Sequence, residues 1–115
     1  VHCYVATSKP EGTAREILDK FELTQYFDCI AGASEDSSRD SKEKVIRYLF
    51  TMVEDIHSAV MVGDTVFDII GARETGVDAI GVTWGFGNVE EMKEKGARNI
   101  VSNCSELEDV ILGVC

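Results

Sequence analysis

No apolar run in these 115 residues approaches the ~20 that a membrane-spanning helix requires. No segment joins a basic start, an apolar stretch and a small-residue cleavage site, so no signal peptide is expected. Basic residues are scarce: 11 Lys and Arg stand against 21 Asp and Glu, a net charge of -10. That surface repels nucleic acid and anionic membranes, and neither is expected as a partner. A small phosphorylated substrate held by a local cation is still compatible with it. The four cysteines, Cys3, Cys29, Cys104 and Cys115, form no C-x-x-C and no zinc spacing. Cys3 and Cys29 lie in apolar runs and are expected as buried free thiols rather than redox or metal groups. Reduced thiols without an export signal predict a cytoplasmic protein. Internal repeats and linkers are also missing. The glycines of WGFGN (84–88) fail as a dinucleotide fingerprint, because no G-x-G-x-x-G opens a helix there.

What is present is a globular composition, 44% hydrophobic, in short apolar segments. His2 to Ala6 (HCYVA) is a β-prone run. Ser8, Pro10 and Glu11 then resemble a capping box with proline in the first turn, predicting a helix through about Leu23. Tyr26 to Ala33 predicts a second strand and Ser34 to Ser41 a polar loop. Val45, Ile46, Leu49, Phe50 and Val53 share one face of a helix over Lys42 to Val53. A strand over Ala59 to Val62, a helix over Val66 to Glu74 capped by Gly76, and a strand over Ala79 to Thr83 follow. A helix over Val89 to Lys95 ends at Gly96. Asn99 to Val101 predicts a short strand, and Glu106 to Leu112 a final helix. Solid apolar strands alternating with helices predict an α/β fold with a parallel sheet covered on both faces. Such sheets bind ligands at the carboxyl ends of their strands.

Three such ends carry chemistry. Thr7, Ser8 and Lys9 follow the first strand, where hydroxyls and backbone N–H groups at a helix N-terminus suit an anion; an ordinary helix cap is the other reading. Lys42 opens a helix, where its charge opposes the dipole, so it suits a phosphate-neutralising role as well as a solvated surface one. Residues 61–68, MVGDTVFD, end a buried strand with Asp64 and Asp68 four apart. Two carboxylates there can hold Mg²⁺, which takes oxygen ligands and keeps several waters. Alternatively Asp64 or Thr65 caps the next helix. Together, a hydroxyl, a lysine and an acidic pair are the donors, cation and metal site that phosphoryl transfer needs.

In order and register, these segments resemble the haloacid dehalogenase-like (HAD) hydrolases, and within them the phosphoglycolate phosphatase-like group. HCYVATSKP is similar to the second motif of that family, SRDSKEKVIRYL to the third, and MVGDTVFDIIGARETGVDAIGVTWGFG to the fourth; the tail NVEEMKEKGARNIVSNCSELEDVI is similar to the ending of these phosphatases. The resemblance implies a three-layer Rossmann-like core with a mainly parallel sheet. It implies a Mg²⁺-dependent phosphatase that hydrolyses a small phosphate monoester through an aspartyl phosphate. Thr7 would bond a phosphoryl oxygen, and Lys42 rather than Lys44 would stabilise the phosphoryl group. Asp64 would bind Mg²⁺, with Asp68 helping directly or through a water. Ser8 stands where asparagine is common, next to the substrate-binding Thr7.

The family's first motif, D-x-D-G-T, which supplies the nucleophile and the general acid/base, does not occur in residues 1–115. Nor does the cap domain, which largely sets substrate choice in these enzymes. The resemblance therefore implies that residues 1–115 are the C-terminal portion of a single core domain, lacking its central strand, and are inactive alone. The strands of the second and fourth motifs would each lose a neighbour, to be completed by an N-terminal segment or a dimer partner. Starting at Val1 inside a strand-like run agrees with that expectation. A non-catalytic binding module on the same fold is the alternative. The order Thr, Lys, Asp disfavours a two-component receiver domain, which places its acidic pair early. Trp84 and Phe86 are expected at the rim of the site or in the core.

Overall fold

The computed structural model describes residues 2–53 and 58–113. By internal contacts the chain divides into two compact units, Val1–Ile56 and His57–Cys115.

In the first unit, β1 (Tyr4–Pro10) pairs in parallel with β2 (Cys29–Ala33), and the helices α1 (Glu11–Lys20) and α2 (Lys42–Met52) pack on them. Ala31, Val45 and Leu49 form the core beneath α2, with Tyr4, Ala6, Cys29, Tyr48 and Val53 against it. Ile30 is buried too, and as the neighbour of Ala31 on a pleated strand it points to the other face. Residues 34–41 form the loop between β2 and α2, as expected.

The β1–β2 ladder is irregular where it matters. Ala6 pairs with Ala31 and Pro10 with Ala33, so Thr7, Ser8 and Lys9 stand opposite Gly32 alone. This bulge replaces the expected capping box. Ser8 caps nothing: β1 runs on to Pro10, whose φ of -54° and ψ of 136° keep the chain extended, and α1 starts at Glu11 without a side-chain cap. Glu11 is drawn elsewhere, accepting the Gly32 N–H at 3.3 Å and facing Arg39 at 3.7 Å. The helix ends at Lys20 rather than near Leu23, and Thr24–Tyr26 is a 3-10 turn, so the second strand starts only at Cys29.

In the second unit, β3 (Val60–Gly63), β4 (Asp78–Val82) and β5 (Asn99–Val101) form a parallel sheet in the order β3-β4-β5. Neighbouring residues of β4 feed opposite faces. Ala79 joins Ile69, Ala72 and Met92 of α3 (Val66–Glu74) and α4 (Val89–Glu94). Ile80 and Val82 join Val101, covered by Leu107, Val110 and Ile111 of α5 (Cys104–Gly113). Burial on both faces is why β4 reads as a continuous apolar run. Gly76 and Gly96 adopt φ of 77° and 101° just past α3 and α4, as helix-ending glycines do.

Among the described residues β1 pairs with β2 only and β3 with β4 only, so each leaves an open ladder edge. The α/β fold with parallel strands is as expected, and the sheet is incomplete. The expected burial of Cys3 is not found: it is exposed, and Cys29 is half-buried. Cys3 precedes the first paired residue of β1, Tyr4. No helix among the described residues is long and apolar enough to cross a membrane.

Candidate active site

In the first unit, the end of β1 gathers the polar groups. Thr7 is half-buried in the bulge, and its Oγ1 accepts the Lys9 N–H at 3.2 Å, which closes the bulge on itself. Ser8 and Lys9 are exposed. Lys42, the first residue of α2, sends its Nζ to the Ala6 carbonyl at 3.0 Å. That places an ammonium beside the residue that precedes Thr7. Ser41 caps the helix through the Lys44 N–H at 3.3 Å, so Lys42 is not needed as a cap. Lys44 instead points outward to Asp40 at 3.2 Å, in an exposed i,i+4 pair. Thr7, Ser8 and Lys42 are thus brought together, on a strand bulge rather than a helix N-terminus.

The strand-end loop that leads into α2 is held by Arg39. Its Nε donates to the Gly32 carbonyl at 2.7 Å, and its guanidinium lies 3.7 Å from the Tyr48 ring centroid. Ser34 and Ser38 hydrogen-bond the exposed carboxylate of Asp36 and hold it down at about 2. Neither Arg39 nor Asp36 stood out in the sequence, because their partners are set by the fold of the loop.

In the second unit, β3 delivers Asp64 at its carboxyl end, and Asp68 follows one helical turn later. Asp68 is 6% exposed. Its Oδ2 accepts the Asp64 N–H at 3.1 Å, the Thr65 N–H at 3.2 Å and the Thr65 hydroxyl at 3.3 Å. Thr65 and Asp68 form a reciprocal capping box at the start of α3. A buried carboxylate so employed fixes the turn that carries Asp64. The helix-cap reading and the acidic-pair reading of MVGDTVFD therefore describe the same residues.

Asp64 is half-buried, and its Oδ2 accepts the Phe86 N–H at 3.1 Å. Its Oδ1 has no hydrogen bond among the described residues. Three glycines make room for this turn. A Cβ on Gly63 would overlap the Asp68 carboxylate, one on Gly85 the Asp64 carboxylate, and one on Gly87 the Asp64 backbone carbonyl. Gly85 and Gly87 lie 21 and 23 positions from Asp64 in sequence, which hid their role. Trp84 and Phe86 are 50% and 100% exposed, which removes the core from the two places expected for them, the rim of the site or the core.

The donor set here is two carboxylates, hard oxygen ligands of the kind Mg²⁺ takes while keeping water. No group of three or more His, Cys, Asp or Glu side chains gathers as a metal site among the described residues. Asp64 and Asp68 fit a Mg²⁺ site of the sparse kind, with one Asp64 oxygen on the Phe86 N–H and Asp68 committed to backbone donors.

The comparison with known proteins gives the family: the pattern of the haloacid dehalogenase-like hydrolases matches residues 1–82, and the chain belongs to that family. It is 38% identical over 111 residues to the tyrosine-protein kinase PtkA of Mycobacterium tuberculosis, covering 96% of this chain and 38% of that protein. It is 36% identical over 110 residues to a 5'-nucleotidase of Pseudomonas aeruginosa, covering 94% of this chain and 49% of that one. Phosphoglycolate phosphatases are also among the relatives. The crystal structure of a protein described as a predicted phosphatase from Clostridium acetobutylicum superposes with a TM-score of 0.91 at 46% identity, over 97% of this chain and 52% of that chain. The chain thus spans about half the length, or less, of the proteins it is similar to.

Proposed function

We propose that these residues are the C-terminal portion of one HAD core domain, in a protein that hydrolyses a small phosphate monoester with Mg²⁺. The two compact units are, on this reading, parts of that single domain. The observation that carries it is the turn at Asp64: a carboxylate at a strand end, oriented by a backbone N–H and by a buried neighbouring carboxylate. Asp64 would hold Mg²⁺, with Asp68 behind it as a positioning group or through a water. The ion would neutralise charge on the phosphoryl group. Thr7 would donate its hydroxyl proton to a phosphoryl oxygen while its oxygen accepts the Lys9 N–H. Exposed Ser8 would add a second contact. Lys42 would set its ammonium against the phosphoryl oxygens, steadied by the Ala6 carbonyl. The nucleophile, an aspartate that becomes the aspartyl phosphate, lies outside residues 1–115, so the fragment alone is inactive. A strand supplied by the rest of the protein, or by a dimer partner, would complete the open edges of β1 and β3.

The test is phosphate release by the protein made from the whole reading frame. A panel of sugar phosphates, nucleotides, phosphoglycolate and pyrophosphate is offered with and without Mg²⁺. Mg²⁺-dependent release that Asp64→Asn abolishes is the expected result. Release by Asp64→Asn at the wild-type rate would overturn the role given to Asp64, and no release with any substrate would overturn the phosphatase reading and favour a non-catalytic module.

The likeness to PtkA favours one further variant of this chemistry, transfer of the phosphoryl group to a tyrosine hydroxyl instead of water. Labelled phosphate on a tyrosine, stable to the hydroxylamine that cleaves an aspartyl phosphate, would distinguish it.

A further inference from the structure

We infer that the segment 84–87 is a backbone clamp for the Asp64 carboxylate, which fixes one of its oxygens and presents the other to the cation. The inference rests on the Mg²⁺ role proposed for Asp64 and assigns residues that this role does not name.

Both ends of the segment are anchored independently of Asp64. The Thr83 N–H donates to the Val101 carbonyl at 3.0 Å, extending the β4–β5 ladder. Asn88 caps α4, its side-chain oxygen accepting the Glu91 N–H at 3.1 Å. Between these anchors the chain crosses directly over Asp64. The Phe86 N–H reaches Oδ2 at 3.1 Å, and the flanking Gly85 and Gly87 approach the carboxylate and the backbone carbonyl of Asp64 too closely for any side chain. Neither glycine has a left-handed φ. Close approach, not backbone conformation, is what excludes a side chain at these two positions.

The aromatic side chains support the same conclusion. Burying Trp84 and Phe86 would ordinarily be the strongest force on such a loop. Yet the Phe86 ring is 100% exposed and that of Trp84 50% exposed. The segment is therefore held by its backbone on Asp64 and not by its apolar side chains. A hydrogen bond from a neutral donor to a carboxylate oxygen is strong and directional. With Oδ2 so engaged, the carboxylate cannot rotate freely, and Oδ1 becomes the oxygen offered outward. Removing a group that orients a metal ligand in this way typically costs about 10- to 100-fold in metal affinity.

The experiment is calorimetric titration of Mg²⁺ into the full-length protein, which reads binding and not turnover. Gly85→Ala, Gly87→Ala and Phe86→Pro are each expected to weaken Mg²⁺ by about 10- to 100-fold. Asp64→Asn is the reference. If Asp64→Asn loses Mg²⁺ while the three loop variants bind within about twofold of wild type, the clamp is refuted and the metal assignment stands. If Asp64→Asn binds Mg²⁺ like wild type, the metal assignment itself fails and takes the clamp with it. Should the loop variants not fold, amide exchange in the unaltered protein decides: Phe86 N–H protected in wild type and unprotected in Asp64→Ala is expected, whereas free exchange in wild type overturns the proposal.

Discussion

Replacing Asp68 by alanine isolates the part of the acidic pair that organises the turn. In the native turn one buried oxygen serves three donors, the N–H groups of Asp64 and Thr65 and the Thr65 hydroxyl. A hydrogen bond to a charged acceptor contributes about 1.5–3 kcal/mol net, and three that share one oxygen are not additive. The freed hydroxyl can turn to water, but the two N–H groups are fixed by the turn. Capping residues replaced by alanine typically cost ~1 kcal/mol, and burial of the unpartnered donors adds to that. The sum is about 3 kcal/mol for opening the turn, which corresponds to a roughly hundredfold change in an equilibrium. The assay is amide exchange of Asp64 and Thr65 in the full-length protein, compared with amides of β4, the central strand of its sheet. The expected result is exchange about a hundredfold faster at those two positions, with β4 much less affected. Asp64→Asn, which alters a half-buried side chain with one N–H donor, should leave the same amides within a few-fold. Exchange in Asp68→Ala within about threefold of wild type would show that the carboxylate does not hold the turn, and the reasoning about its burial would fail.

Two other expectations concern the first unit. In the full-length enzyme Lys42→Met should lower turnover by about 10²–10³, the usual effect of removing one preorganised charge-stabilising donor, whereas Lys44→Met, which breaks only an exposed pair, should change it by less than about twofold; equal losses in steady-state rates would reject the assignment to Lys42. The carboxylate of Asp36 titrates at about 2 rather than 3.8 because Ser34 and Ser38 bond its charged form. A depressed folded value means that this contribution to stability is complete above the ordinary carboxylate value and is lost as pH falls towards about 2. An NMR titration of the Asp36 carboxyl carbon with its midpoint near 3.8 would contradict the Ser34–Ser38 contacts.

The alternation of strand and helix was legible because each strand is buried on both faces and therefore written as an apolar run. Helix ends set by local chemistry were legible too: Gly76 and Gly96 each lie just past the helix they close. The start of α1 was not. Its capping-box pattern was real in spacing, but Glu11 is claimed by Gly32 and Arg39, partners 21 and 28 positions away. The bulge at Thr7–Lys9 could not be read either, since a bulge exists only in register with another strand. For the site, Asp64, Thr65 and Asp68 lie within five residues and so declared both a helix cap and an acidic pair. The glycines that surround Asp64 arrive from beyond β4, and no local pattern announces a close approach between distant segments.

The open ladder edges of β1 and β3 also bear on the order of events during synthesis. Within each unit every paired strand is separated from its partner by a single helical crossover, so each sheet is built from near neighbours in the chain and can form early. The open edges of β1 and β3 offer unpaired backbone groups until another strand pairs with them, and while they are open the chain can pair with the wrong one.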